Sequence, residues 1–138
     1  LFVKLVCHFP GPILPQIVLL VLVNAAMTLV CLGISSLSRT AEQASLISIY
    51  LVGFQLPLSG AVLAPPELIG ALTRPFIAAY WGWSGLVQTM KDTRFFEVVV
   101  QVSQTGLSPS LLCLWVLATH VVVGILLAYT GCRRSQWE

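Results

Sequence analysis

Three stretches of this 138-residue chain carry no Asp, Glu, Lys or Arg: residues 5 to 38, 43 to 66 and 98 to 132, runs of 34, 24 and 35 residues. A helix that crosses the hydrocarbon of a bilayer needs roughly 20 mainly apolar residues, so each run has room for one crossing. A soluble bundle needs a polar face repeating every 3.6 residues on each helix, and residues 16 to 23 and 121 to 127 offer none. Composition agrees: 57% of residues are apolar and 9% charged, against about 25% charged in soluble domains. The fold class read from the sequence is an all-α membrane protein with three transmembrane helices. Short interfacial or re-entrant helices are expected between the second and the third.

Breakers set the expected boundaries. The first crossing is expected over 15–34, after Pro10, Gly11, Pro12 and Pro15 and before Ser35, Ser36, Ser38 and Arg39. The second is expected over 45–64, closed by Pro65 and Pro66 and kinked at Pro57, where proline removes a backbone donor. The third is expected over 110–130, with Gly131 as its C-cap and 131–138 as a polar tail.

Residues 65–109 form the connection between the last two crossings. ELIGALTR is expected to start a short helix after the proline pair and to end at Pro75, and Tyr80, Trp81 and Trp83 suit the headgroup level. The reading for 67–90 is helices lying at or dipping into the interface. The alternative is a fourth crossing over 68–88, which Arg74, Pro75 and three glycines between 70 and 85 disfavour. The run VVVQV after KDTRFFE reads either as a short strand or as the foot of the last helix.

The formal charge of +2 has no clustered basic face, which argues against nucleic acid as a partner. With three crossings, Arg39, Arg133 and Arg134 share one side and lie close to span ends, whereas Lys4, Arg74, Lys91 and Arg94 fall on the other. The short-segment weighting of the positive-inside rule makes the tail cytoplasmic, in a plasma or inner membrane. The chain begins at Leu1 within an apolar run and is expected to be the carboxyl-terminal piece of a longer protein.

Each crossing has a seam of polar or small residues: Asn24, Thr28, Cys31 and Ser35; Ser48, Val52, Gln55 and Ser59; His120, Gly124 and Ala128. Such seams pack helices together or line a substrate route, and Asn24, Gln55 and His120 are the route candidates. His120 also reads as a hydrogen-bonded packing histidine. No catalytic, cofactor-binding or metal-binding residues are assigned: CxxC, GxxxxGK[ST], HExxH and GxSxG are all absent. A Cys7–Cys113 disulfide is a minor alternative to free thiols.

The order of these features resembles the membrane half of type-2 ATP-binding cassette exporters, particularly permeases related to the G subfamily. In that family the corresponding helix leaves through a Gly-Leu-x-Ser turn and a Glu-Gln-Ala segment. Gly33, Ser36, Glu42, Gln43 and Ala44 of GISSLSRTAEQA align with it. The likeness runs on through LPLSG, Pro75 and Tyr80-Trp81-Gly82-Trp83, across residues 15–138. Ser84, Gly85 and Leu86 stand where a Glu-Ala-Leu triplet is frequent, so the acidic member is missing. The resemblance implies that 1–138 is part of a permease domain, the last three crossings of a six-helix unit. It implies as partners the lipid bilayer, a second half-transporter, and an ATP-binding cassette domain in another region or chain. The chain itself, without a phosphate loop, is then no enzyme and holds no cofactor. The alternative is a non-transporting membrane scaffold or accessory subunit.

Overall fold

The computed structural model describes residues 10–62 and 66–135, and every regular element among them is helical. In chain order these are α1 (Ile13–Leu37), α2 (Ala41–Leu58), α3 (Glu67–Thr73), a 3-10 turn (Arg74–Phe76), α4 (Ala78–Gln88), α5 (Arg94–Ser103) and α6 (Ser110–Ser135). Two segments, Ile13–Leu37 and Ser110–Arg134, are long and apolar enough to cross a membrane, each about 37 Å long at 1.5 Å per residue. Pro15 does not delay α1: it occupies the first turn, where a backbone N–H has no helical acceptor.

The two long helices lie parallel and in register, because glycines let their backbones meet. A Cβ on Gly124 would stand 2.7 Å from Leu29 Cβ and 3.0 Å from its carbonyl carbon. One on Gly33 would stand 2.7 Å from Leu127 Cβ and 3.2 Å from Ala128 N, and one on Gly131 would stand 2.6 Å from Ser36 Cβ. Leu29 with Gly124, Gly33 with Ala128 and Ser36 with Gly131 are each separated by the same 95 positions, so the chains run the same way. On α1 the buried residues Leu19, Ala26 and Gly33 recur every seven positions, the seam of helices crossing at a shallow angle. Gly131 is thus a contact residue inside α6 and not its cap: the helix continues to Ser135.

Parallel neighbours require a return path between them. The link Ser38–Thr40 turns the chain at the C-terminal end of α1, and Thr40 caps α2 by accepting from Gln43 N (3.3 Å). α2 then runs back: Gln55, near its far end, reaches Ala79 of α4, and Gly60 meets Thr105 just before α6. α2 ends at Leu58, six residues before the expected end of the second span. Pro57 lies in the last turn of the helix and not in its middle, and the helix ends where Ser59 is the C-cap and Gly60 takes the left-handed φ of 73°. Gly60 has a second requirement too, because a Cβ there would lie 2.6 Å from Thr105 Cγ2.

The connection after α2 contains two short helices, α3 and α4, joined by the 3-10 turn. α4 packs antiparallel to α1, with Gly82 against Val23, Gly85 against Leu19 and Thr89 beside Gln16. It also packs on α6 through Gly85 and Cys113. Leu19, Ile77, Ala78, Tyr80, Trp81, Cys113 and Leu117 form the buried core. Eleven residues make α4 about 16 Å long, and Arg74–Phe76 separates it from α3, so 68–88 is not one crossing helix. Tyr80 and Trp81 are core residues, 1% and 9% exposed, and not the headgroup anchors their composition suggests. VVVQV is neither strand nor foot of α6. It belongs to α5, a separate amphipathic helix with Phe95, Val98 and Val102 exposed, closed by Gln104 in the left-handed region at φ 49°.

Gly124→Leu or Gly131→Leu forces α1 and α6 apart and lowers stability by about 1–3 kcal/mol, the usual scale of overpacking. Gly53→Ala is the contrast: open space surrounds that glycine in α2, so its helix gains up to about 1 kcal/mol. Thermal unfolding in detergent checks both signs.

Candidate functional site

The densest set of interhelical polar contacts surrounds α4. A short helix buried against other helices exposes its first backbone donors, and α2 supplies a partner: Gln55 Oε1 accepts from Ala79 N at 3.0 Å. The Trp81 indole donates to Arg74 O at 2.7 Å and ties the 3-10 turn back onto α4. On the α6 side, Tyr80 Oη lies 2.8 Å from Gly106 O, to which it donates, and 2.9 Å from Ser108 Oγ. Ser84, one turn along, accepts from Ser108 N at 2.8 Å. At the outer end, Gln16 Nε2 donates to Pro10 O and Thr89 Oγ1 at 2.8 and 3.1 Å. Gln55, Trp81, Tyr80, Ser84 and Gln16 therefore hold α4 to α2, the 3-10 turn, the segment before α6 and α1, and the glycines at 82 and 85 set how close it comes.

The three route candidates occupy different surroundings. Gln55 is buried at 7% exposure and spends its carbonyl on α4. His120 is half-buried in α6, and its Nδ1 lies 2.8 Å from Val116 O of its own helix, a back-bond that satisfies one ring nitrogen without crossing to another helix. Asn24 is exposed, as are Thr28 and Ser35. Their side of α1 lies opposite Ala26 and Gly33, which face α6, because residues two apart on a helix point about 200° apart. The described residues thus leave a polar face of α1 uncovered, and the structure does not bring Asn24, Gln55 and His120 together.

Tyr80, Ser84, Ser108 and Gln16 escaped the sequence reading. The i,i+4 spacing of Tyr80 and Ser84 on one helix face was the available signal, but the neighbouring tryptophans pointed to the interface instead. Cys31, Cys113 and Cys132 are free thiols; Cys7 lies outside the described residues. No group of three or more His, Cys, Asp or Glu fit to hold a metal occurs among the described residues. Comparison with protein-family models, curated proteins and solved structures finds no match.

Gln55→Leu keeps the volume of the side chain and orphans Ala79 N–H. The expected outcome is a loss of about 1–3 kcal/mol, the cost of one unsatisfied buried donor, with faster amide exchange at Ala79 and little change at Leu127. Residue-resolved hydrogen exchange reads both.

Proposed function

We propose that this chain is the membrane-spanning part of an ATP-driven exporter, in which α1, α2 and α6 are three crossings and α3–α4 forms a re-entrant hairpin. The observation that carries the membrane placement is the parallel pair of long apolar helices. Two parallel helices that both cross need a third crossing between them, and α2 is the element that returns over their length. Its 18 residues span about 27 Å, close to the roughly 30 Å of hydrocarbon. Non-helical backbone at membrane depth needs partners within the protein, and the Arg74 carbonyl of the turn before α4 accepts from the Trp81 indole. The amphipathic α5 then suits the membrane surface.

The exporter reading rests on the ordered resemblance of GISSLSRTAEQA, LPLSG and the segment from Pro75 to Leu86. The structure adds an architectural reason for further helices: Asn24 in mid-span exposes an amide that hydrocarbon cannot satisfy. Helices of the same permease or of a second half-transporter cover that face, or it borders the substrate route. ATP is hydrolysed by a cassette domain elsewhere, and the chain's contribution is mechanical: rearranged helices expose the route alternately to the two sides. The tail after α6 is cytoplasmic in a plasma or inner membrane. A scaffold or accessory subunit is the second reading, favoured by α4, whose polar contacts all serve packing.

Reconstitution of the full protein with its cassette ATPase in sealed vesicles tests the proposal. ATP-dependent accumulation of at least one compound across a substrate panel is expected, with Asn24→Leu changing substrate preference more than basal ATP hydrolysis. A folded complex that shows neither transport nor substrate-stimulated hydrolysis would place the chain among scaffolds.

A further inference from the structure

The parallel register of α1 and α6 brings together two arginines that are far apart in sequence. A Cβ on Gly131 of α6 would stand 2.6 Å from Ser36 Cβ and 2.9 Å from the Ser36 carbonyl carbon, so the helices still touch at their last turns. Arg39 follows Ser36 by three residues. Arg134 follows Gly131 by three, about 4.5 Å along the axis. It also lies two turns beyond Leu127, whose Cβ meets the Gly33 position of α1, and so continues the side of α6 that is turned to α1. Arg133 falls about 100° round the helix from Arg134.

The helix ends do not use these side chains. An arginine near a helix C-terminus can bond the last carbonyls, but at α1 serines do so. Ser36 Oγ donates to Gly33 O at 2.8 Å, and Ser38 donates to Ile34 O through N and Oγ at 3.0 and 2.7 Å. Arg39 and Arg134 are exposed, and neither has an ion pair among the described residues. Glu42 lies in the first turn of α2, where a carboxylate complements the positive end of that helix. In the rest of the described chain, Arg74, Lys91 and Arg94 are equalled in number by Glu67, Asp92 and Glu97. The excess of positive charge therefore lies where α1 and α6 end.

The apolar spans stop at the same place. The membrane-length segments run to Leu37 and Arg134, and the charge-free stretches close at residues 38 and 132. Cations at the limit of two crossings meet headgroups, and a guanidinium matches phosphate oxygens in paired geometry. We infer that Arg39 and Arg134 together hold the phosphate of an anionic phospholipid in the leaflet at this end of the bundle. One headgroup then ties the turn between α1 and α2 to the end of α6. The site rests on the membrane placement of α1 and α6 and not on export, so it is read without ATP or a transported compound.

The full protein in neutral detergent is titrated with dioctanoyl phosphatidylglycerol, dioctanoyl phosphatidylcholine and inorganic phosphate, and complexes are counted by native mass spectrometry. Phosphatidylglycerol is expected to bind at least about tenfold tighter than either other probe, the scale of a charge-assisted contact. Arg39→Gln and Arg134→Gln each remove most of that preference. The double variant loses little more than either alone, because residues that share one ligand are not additive. A general attraction of cations to an anionic leaflet, about fivefold per arginine, would instead make the two losses multiply and give Arg133→Gln the same effect. Either of those results overturns the proposal, as does an unchanged preference in a single variant or inorganic phosphate binding as tightly as the lipid. Thermal unfolding in detergent checks that the variants fold. Should one glutamine variant fail to fold, the other single variant and Arg133→Gln decide on the same criteria. Resistance to carbonate extraction from phosphatidylcholine vesicles reads the membrane placement separately, so a protein that resists extraction but shows no lipid preference loses the site and keeps the crossings.

Discussion

The backbone contact between α1 and α6 governs the architecture. Gly33, Gly124 and Gly131 remove the side chains that would hold two apolar helices apart, and the dispersion gained at that distance is what remains to drive association when the surroundings are as apolar as the helices. Because the contact is parallel, everything from Ser38 to Pro109 must return the chain to its starting level. α2 makes the return. The remaining residues are then left to fill the space beside the first turns of α1 and α6.

That space is filled by α4, and its burial creates a polar problem. A helix of eleven residues has nearly as many unpaired end groups as internal hydrogen bonds. Gln55 answers it at the Ala79 N–H and Thr89 Oγ1 at the Leu86 carbonyl, while Trp81, Tyr80 and Ser84 tie α4 to the backbone of the segments beside it. Measured hydrogen bonds between membrane helices average about 0.6 kcal/mol, so these contacts position α4 more than they stabilise the assembly. Gly82 and Gly85 add the shape fit against Val23 and Leu19. Polar residues that look like route-lining groups in a sequence can thus be spent on holding a short helix, as Gln55 is, whereas Asn24 is exposed and has no hydrogen-bond partner among the described residues.

The long helices were legible because absence of charge over 34 and 35 residues admits few alternatives. α3 was legible too, from the proline pair before Glu67 and from Pro75. Other features turn on information that a linear pattern does not contain. Gly131 before a polar tail suits a cap or a close contact equally well, and only the position of Ser36 decides. Tyr80 and Trp81 have the chemistry of headgroup anchors, but two glycines on the same helix let them sink into the core. Pro65 and Pro66 suit a helix boundary and put Pro57 in mid-span, but the left-handed turn at Gly60 ends α2 earlier. The seam of Asn24, Thr28, Cys31 and Ser35 has correct helical spacing, yet spacing does not tell which of two opposite seams meets α6.

The membrane path of the chain is measured most directly by labelling single cysteines at 39, 91 and 133 in sealed, oriented vesicles, with the native cysteines replaced. All three positions are exposed on the structure. With α1 and α6 as parallel crossings and α2 as the return, a membrane-impermeant maleimide reaches 39 and 133 from one side and 91 from the other. Labelling of 39 and 133 from opposite sides, or of 91 from the same side as 39, would contradict the three-crossing account.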